Sequence, residues 1–325
     1  MTGERVLVTG GSGFIGTNLV EHFVERGCQV TNLDILSPRN PSYHSFWQKV
    51  DILDRQKLLE AIQAFAPHYI LHFAARTDLG ERRNLAGYAA NIEGICNLID
   101  AVRLTPSVKR VIFASSQLVC RLGYVPHHEL DYCPSTLYGL SKMIGERIVR
   151  TADEFGAVWC IVRPTSLWGP WFDVPYKNFF EAIANNLYVH PGKIVTRKQW
   201  GFVKNAVYQV ERLLEVSDEV IHKKLFYLAD YHPLELRQFA NMVQEAFGSK
   251  PIRTLPFSLL RLIARIGDLL RQFGWHNPPL TSFRLNNIIT DELCDIAPLD
   301  SLVGDLPYTT EQGIKITVEW MRYKK

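Results

Sequence analysis

The sequence predicts an α/β protein: a doubly wound parallel sheet followed by a smaller, mostly helical part. Three observations predict it. Short apolar runs alternate with helical stripes from residue 5 to about residue 164. A turn holding Gly10, Gly13 and Gly16 joins the first run to the first stripe. Beyond about residue 170 the alternation loosens and helical patterns prevail.

The elements follow in order. Residues 5–9 form the first strand. Residues 14–26 carry apolar side chains at 15, 19, 20, 23 and 24, one face of a helix, and Gly27 stops it. A second strand covers 29–33 and ends at Asp34. A strand at 47–50 leads to Asp51 and Ile52, and a helix at 56–65 is closed by Pro67. Then come a strand at 69–73, a helix at 90–102, a strand at 110–114, a helix at 138–155 and a strand at 158–162. Further helices are expected at 207–216, 234–247 and 255–273. Strands alternating with helices in this way argue for parallel pairing.

The 325 residues are 47% hydrophobic and 21% charged, an ordinary globular composition. A net charge of +3, from scattered basic residues, is too small for a nucleic-acid footprint. Six cysteines, at 28, 96, 120, 133, 160 and 294, show no CxxC pairing, so no metal is expected and a reducing cytoplasm suits them. The first strand begins within five residues of Met1, which leaves no room for a signal peptide. No uncharged apolar run reaches about 18 residues, so no integral membrane segment is expected.

The glycine turn fits G-x-x-G-x-x-G from Gly10 and G-x-G-x-x-G from Gly11. One glycine permits a tight turn, another lets backbone reach a pyrophosphate, and Gly16 lets the helix pack close to the sheet. Asp34 closes the next strand, 18 residues after Gly16, where a carboxylate binds the adenosine ribose hydroxyls. The combination predicts a Rossmann-type nucleotide site that takes NAD. Arg39 could in principle meet a 2′-phosphate, which keeps NADP as the lesser alternative; a solvated loop arginine is the favoured reading.

Tyr138 and Lys142 stand at i and i+4, on one face of a helix. A cation beside a tyrosine favours the phenolate and should depress its pKa, which makes Tyr138 a candidate general acid or base. Ser115 and Ser116 end the strand at 110–114, and open α/β sheets bind ligands at such strand ends. A serine there can hold the oxygen of an alcohol or ketone.

Together these residues resemble the extended short-chain dehydrogenase/reductase family, in its branch of nucleotide-sugar epimerases and dehydratases. Residues 9–16 resemble TGGxGFIG, His72-Phe73-Ala74-Ala75 an HxAA stretch, and Asn91, Gly94 and Asn97-Leu98 an NxxGxxNLL helix. Tyr138 and Lys142 match YxxxK, residues 163–170 resemble RPxNxYGP, and Gln238-Phe239 lies in a helix like the family's C-terminal one. The resemblance implies Ser116, Tyr138 and Lys142 as the catalytic set. It implies that Gly10, Gly13, Phe14, Ile15, Gly16, Asp34, Asp51, Ile52, Phe73, Ala74, Ala75 and Pro164 face NAD, joined by Tyr138 and Lys142. Substrate contacts are expected from Ser116, Ser166, Asn178 and Arg284. It also implies a nucleotide-sugar substrate and a homodimer. Residues 1–170 are then the NAD-binding domain and residues 171–325 the substrate-binding part, with later segments free to weave back onto the sheet.

Departures from the family pattern narrow the reaction. Gln117-Leu118 stands where sugar 4,6-dehydratases carry Asp-Glu, so the acid and base needed to eliminate water are missing. Ser166 replaces an Asn that contacts the diphosphate in many relatives. Trp200-Gly201-Phe202 replaces an Arg-Asp-Phe whose arginine contacts the nucleotide. Arg197 and Lys198 could supply that charge, although solvated cations are the favoured reading of each. The aromatic stretch 168–176 fits either a sugar pocket or a packed junction. The first expectation is therefore an NAD-dependent epimerase acting at sugar C4 through a transient keto-sugar. The alternatives are a one-way NAD(P)H-dependent ketoreductase of a nucleotide-linked keto-sugar or another small carbonyl, and, last, a non-catalytic dinucleotide sensor.

One helix stands apart. Leu255, Leu259, Leu262, Ile263, Ile266, Leu269, Leu270 and Phe273 share a face, with Arg261, Arg265 and Arg271 elsewhere. A basic amphipathic helix can lie on a membrane, but packing of that face against its own domain is the expectation.

Overall fold

A computed structural model describes residues 1–323 apart from 153, 174, 276, 277 and 279. The first half alternates as the periodicity predicts: β1 (Arg5–Thr9), α1 (Phe14–Glu25), β2 (Gln29–Asp34), β3 (Trp47–Lys49), α2 (Arg55–Phe65), β4 (Tyr69–His72), α3 (Ala89–Arg103), β5 (Arg110–Ala114), α4 (Leu137–Thr151) and β6 (Val158–Pro164). Polar caps set two helix starts. Asp54 accepts from the Lys57 N–H at the head of α2, and Thr136 accepts from Gly139 N–H at the head of α4. Helix α4 stops at Thr151, four residues earlier than the pattern suggests, and Gly156 turns the chain at φ +83° ahead of β6.

The second half runs β7 (Ser166–Trp168), α5 (Tyr176–Ala184), β8 (Val189–Pro191), β9 (Arg197–Lys198), β10 (Trp200–Phe202), α6 (Val203–Glu215), α7 (Asp218–Ile221), β11 (Lys224–Leu228), β12 (Leu234–Glu235), α8 (Leu236–Phe247), β13 (Arg253–Leu255), α9 (Phe257–Gln272), α10 (Ser282–Ile289), α11 (Ala297–Val303) and α12 (Thr310–Tyr323). Leu255 belongs to β13, paired with β8, and not to the helix that follows. Pro256 intervenes, and its fixed φ suits the residue just before a helix.

Seven strands form one parallel sheet in the order β11-β6-β5-β4-β1-β2-β3. The order reverses between β1 and β4, so the crevice opens at the carboxyl ends of those strands. The edge strand β11 comes from residues 224–228, past residue 170, and pairs with β6 from Lys224↔Cys160 to Leu228↔Pro164. Alternate residues face opposite ways along each strand. Val6 and Val8 join the core under α1, α6 and α11, and Leu7 joins the core under α2, α3 and α4.

A third core sits outside the sheet. Trp168, Phe172, Phe180, Phe202 and Phe239 are buried together between α5, α8 and α12. Helix α12 approaches so closely that a Cβ on Gly313 would come within 2.9 Å of both Phe202 and Trp168. The aromatic stretch 168–176 is thus mostly a packed junction. A fourth cluster, between α9 and α10, buries only Leu260, Ala264 and Leu285.

Candidate active site

The crevice begins with the glycine turn. Gly10 has φ +75°, and a Cβ there would sit 2.5 Å from the Ala74 nitrogen. A Cβ on Gly16 would meet the Gly10 carbonyl oxygen at 2.0 Å. The turn is therefore folded tightly on itself and on the end of β4. Gly13 differs: a side chain there would meet only the Gly10 carbonyl, at 3.2 Å, and otherwise open space. No side chain caps the head of α1 at Gly13, which leaves its first-turn N–H groups facing that space. Phe14 and Ile15 are half-buried in the same turn. Both carboxylate oxygens of Asp34 accept backbone N–H groups, from Ser12 (3.0 Å) and Leu36 (2.9 Å), and burial pushes its pKa up. Their remaining lone pairs can take ribose hydroxyls. An open cradle at a helix head with a fixed carboxylate beside it fits a dinucleotide.

Arg39 is not a solvated loop cation. Its Nε donates to the Ser12 carbonyl (3.1 Å), Nη1 donates to the Trp171 carbonyl (2.9 Å), and Nη2 pairs with Asp173 (2.8 Å). That engagement, with Asp34 alongside, disfavours a 2′-phosphate and hence NADP. Further along, Ile52 is buried against Gly94, and Asp51 is exposed and accepts from Leu53 N–H (2.9 Å). Phe73, Ala74 and Ala75 are half-buried past the end of β4, and Pro164 ends β6. Beneath them His72 meets Thr9 Oγ1 at 2.8 Å, and burial, helped by the Lys142 charge, holds its pKa down at about 3.

The strand end of β5 meets the head of α4. Ser115 N–H donates to the Val162 carbonyl (2.7 Å), and Ser116 Oγ accepts from Leu118 N–H (3.1 Å). A Cβ on Gly139 would lie 2.1 Å from the Leu118 carbonyl oxygen, so only glycine lets α4 pack onto residues 117–119. That approach brings Tyr138 to Ser116, with which it shares a hydrogen bond. Lys142, one turn on, is buried and donates to the Ala114 carbonyl (2.8 Å). Asn91 on α3 ties the arrangement down, since its Nδ2 donates to Ser141 Oγ (2.9 Å) and its Oδ1 accepts from Arg76 N–H (2.8 Å).

The expected depression of the tyrosine pKa is not found in the protein alone. Burial pushes Tyr138 up to about 12, and the bond with Ser116 offsets only part of this. Burial also pushes Lys142 down to about 8. Desolvation is the largest cause of both shifts.

Two buried acids join the site that the sequence reading missed. Glu146 lies one turn beyond Lys142 and opposes the fall in its pKa. It accepts from Arg163 at both oxygens (2.8 Å each), from Ser115 Oγ (2.5 Å) and from Tyr132 (2.9 Å). It thereby fixes the strand end that carries Ser116. The i+4 spacing to Lys142 could have revealed it. Glu292 comes from beyond α10. It accepts from Ser166 Oγ (2.5 Å) and from Gln117 Nε2, and Lys198 Nζ lies 3.6 Å away. Tyr176 also donates to Ser166. Lys198 is therefore buried rather than solvated, and it donates to the Asn287 and Thr290 carbonyls (2.7 Å each). A hollow lined by Gln117, Tyr124, Tyr227, Thr290, Glu292 and Cys294 opens beside this group. Asn178 stands exposed on α5, and Arg284, on α10, donates to the Pro278 carbonyl (2.7 Å). Ser116, Tyr138 and Lys142 are thus brought together, and neither Asn178 nor Arg284 lines the hollow beside them.

Comparison with known proteins agrees with this geometry. Residues 6–229 match the model of the NAD dependent epimerase/dehydratase family. The chain is similar to a 3 beta-hydroxysteroid dehydrogenase/Delta 5→4-isomerase of Mycobacterium tuberculosis, 26% identical over 95% of this chain and 88% of that protein. It is similar to the N-acetyl-alpha-D-glucosaminyl-diphospho-ditrans,octacis-undecaprenol 4-epimerase of Escherichia coli O157:H7, 25% identical over 98% and 95% of the two chains. Among solved structures, its fold is similar to a UDP-glucose 4-epimerase of Thermotoga maritima, with a TM-score of 0.76 and 22% identity over 98% and 99% of the two chains.

Proposed function

The chain belongs to the NAD dependent epimerase/dehydratase family, and from that premise we propose that it is an NAD-dependent epimerase that inverts a hydroxyl-bearing carbon, C4 of a nucleotide-sugar, through transient oxidation. The observation that carries this reading is the meeting of Ser116, Tyr138 and Lys142 at the carboxyl end of β5. Gly10, Gly13, Gly16 and Asp34 would hold NAD, which when bound supplies a hydride acceptor and donor. Ser116 Oγ holds the substrate oxygen. Tyr138 takes the hydroxyl proton in the first half of the cycle and returns it in the second. Lys142, held by its bond to the Ala114 carbonyl one turn from Tyr138, carries the positive charge that favours the phenolate against the burial that raises the Tyr138 pKa. Glu146 is a positioning residue, holding Ser115 and with it Ser116.

A second reading, one-way oxidation or reduction of a small alcohol or carbonyl, draws on a specific observation. Glu292 lies against Ser166, the position that the resemblance assigns to the substrate diphosphate. A carboxylate there repels a pyrophosphate and accepts a hydroxyl. The steroid dehydrogenase relatives suit that reading as the 4-epimerase relatives suit the first.

One comparison tests both. Tyr138→Phe should lower turnover about 10²- to 10⁴-fold. The variant should still release NAD on denaturation, as read by mass spectrometry. Undiminished turnover in the variant overturns the catalytic assignment. A wild-type protein that releases NADP(H), and consumes it with a ketone, replaces the epimerase by the one-way enzyme.

A further inference from the structure

The corner made by α9 and α10 does not bury the face that its sequence makes apolar. Leu259, Leu262, Ile263, Ile266, Leu269, Leu270 and Phe273 fall within one third of the helix circumference at about 100° per residue. All seven are exposed, Leu262 at 55% and Phe273 at 80%. The face expected to pack on its own domain stands in solvent instead. Leu260 and Ala264, on another side of α9, make the contact with Leu285 of α10. Trp275 (51%), past the end of α9, and Phe283 (59%), on α10, are exposed as well. Seven adjacent large apolar side chains are more than the scattered ones any surface carries.

The charge around the patch selects its occupant. Between residues 250 and 290 the sequence holds Lys250, Arg253, Arg261, Arg265, Arg271 and Arg284 against a single acid, Asp268. That acid is turned inward, accepting the Ser282 N–H at the head of α10 (3.2 Å). Arg265 is exposed and borders the apolar stripe, and Arg261, further round the helix, lies over the Phe257 ring at 4.7 Å. An apolar stripe edged by an arginine and followed by a tryptophan matches the layering of an anionic lipid surface: acyl chains, interface, headgroup phosphates. No helix among the described residues is long and apolar enough to cross a membrane, so the helix lies on the surface rather than through it.

We propose that α9 and α10 form a docking surface for an anionic lipid bilayer, with Leu262, Ile266, Leu269 and Phe273 in the acyl region and Arg265 at the phosphates. The chain leads from this surface through α10 to the hollow beside Gln117. Helix α10 carries Phe283 in its first turn and ends at Ile289, and Thr290, Asp291 and Glu292, which follow it, line the hollow next to Gln117. Eight residues of helix span about 12 Å. The inference stands apart from the identity of the reaction and is tested without an activity assay.

The test is flotation of the full chain with phosphatidylcholine vesicles, with and without phosphatidylglycerol. The chain should float with the anionic vesicles and stay behind with the neutral ones. Combined Leu262→Ser, Ile266→Ser and Leu269→Ser should abolish flotation while the thermal transition stays in place. Arg265→Gln should weaken binding about fivefold, and it leaves the apolar face intact. A wild-type chain that does not float with anionic vesicles overturns the proposal, as does equal flotation of the serine variant. Doubling of mass in solution that the serine changes abolish also overturns it, and makes a second copy of the chain the occupant.

Discussion

At the head of α1 the chain is packed so closely on itself that a Cβ on Gly16 would meet the Gly10 carbonyl at 2.0 Å. Along α9 seven large apolar side chains stand exposed, and the cluster beneath buries three residues. The first lies at the carboxyl end of β1; the second packs on α10, which precedes Glu292 in the chain. The first is completed by its own backbone, and what it leaves open is a slot shaped for one small molecule. The second is covered by nothing among the described residues, so its shape specifies a surface. Dense packing marks where a ligand is enclosed, and an apolar face without cover marks where the molecule is enclosed by something larger.

Three experiments break or sharpen that contrast. The largest effect is expected at the turn. Gly16→Ala should remove NAD binding and cost about 1–3 kcal/mol of stability through overpacking, read by calorimetric titration and urea unfolding. Tight NAD binding by the alanine variant would show that the turn relaxes and that its density is not what shapes the slot.

The second is a pH effect from the crevice floor. Burial holds His72 at about 3, against 6.5 for the free side chain. Below pH 6.5 the unfolded chain binds a proton that the folded one refuses, so this contribution to stability falls as pH drops from 6.5 towards 3, by up to about 1.4 kcal/mol per unit. Asp230, pushed up to about 7 by burial, acts with the opposite sign: its folded form keeps a proton that the unfolded form releases between 3.8 and 7, so its contribution falls as pH rises. The His72 share is therefore read as the difference between wild type and His72→Asn in urea unfolding at pH 7 and pH 5. A difference that does not change with pH would mean that His72 takes up its proton in the folded state. The smallest effect is expected on α9. Leu262→Ser should change stability by no more than about 0.5 kcal/mol, because the side chain is already exposed. A larger loss of unfolding free energy would mean that the chain itself covers this face.

The two regions also differ in how far the sequence alone reaches. The glycine turn, Asp34, Ser116, Tyr138 and Lys142 are legible because each rests on a short-range demand: a turn without room for a Cβ, a strand end, two side chains one helical turn apart. Glu146 obeys the same i+4 rule and was recoverable. Glu292 lies 126 residues from Ser166, and no local pattern announces that meeting. Arg39 and Lys198 read as solvated because a cation in a loop has no periodicity to betray its partners. The Tyr138 pKa came out with the wrong sign because neighbouring charge is visible in a sequence and desolvation is not. The stripe on α9 was legible as a pattern, but whether a stripe is covered is a property of the tertiary arrangement.

The close approach of Gly313 to Trp168 and Phe202 has a consequence for synthesis. Those two rings belong to a core that the chain cannot finish until α12 has emerged, 111 residues after Phe202. At ordinary translation rates the delay is on the order of ten seconds. Over that interval the sheet strands β1 to β6 are already made, while a cluster of aromatic rings waits in water. The exposure of those rings ends only when α12 packs onto them.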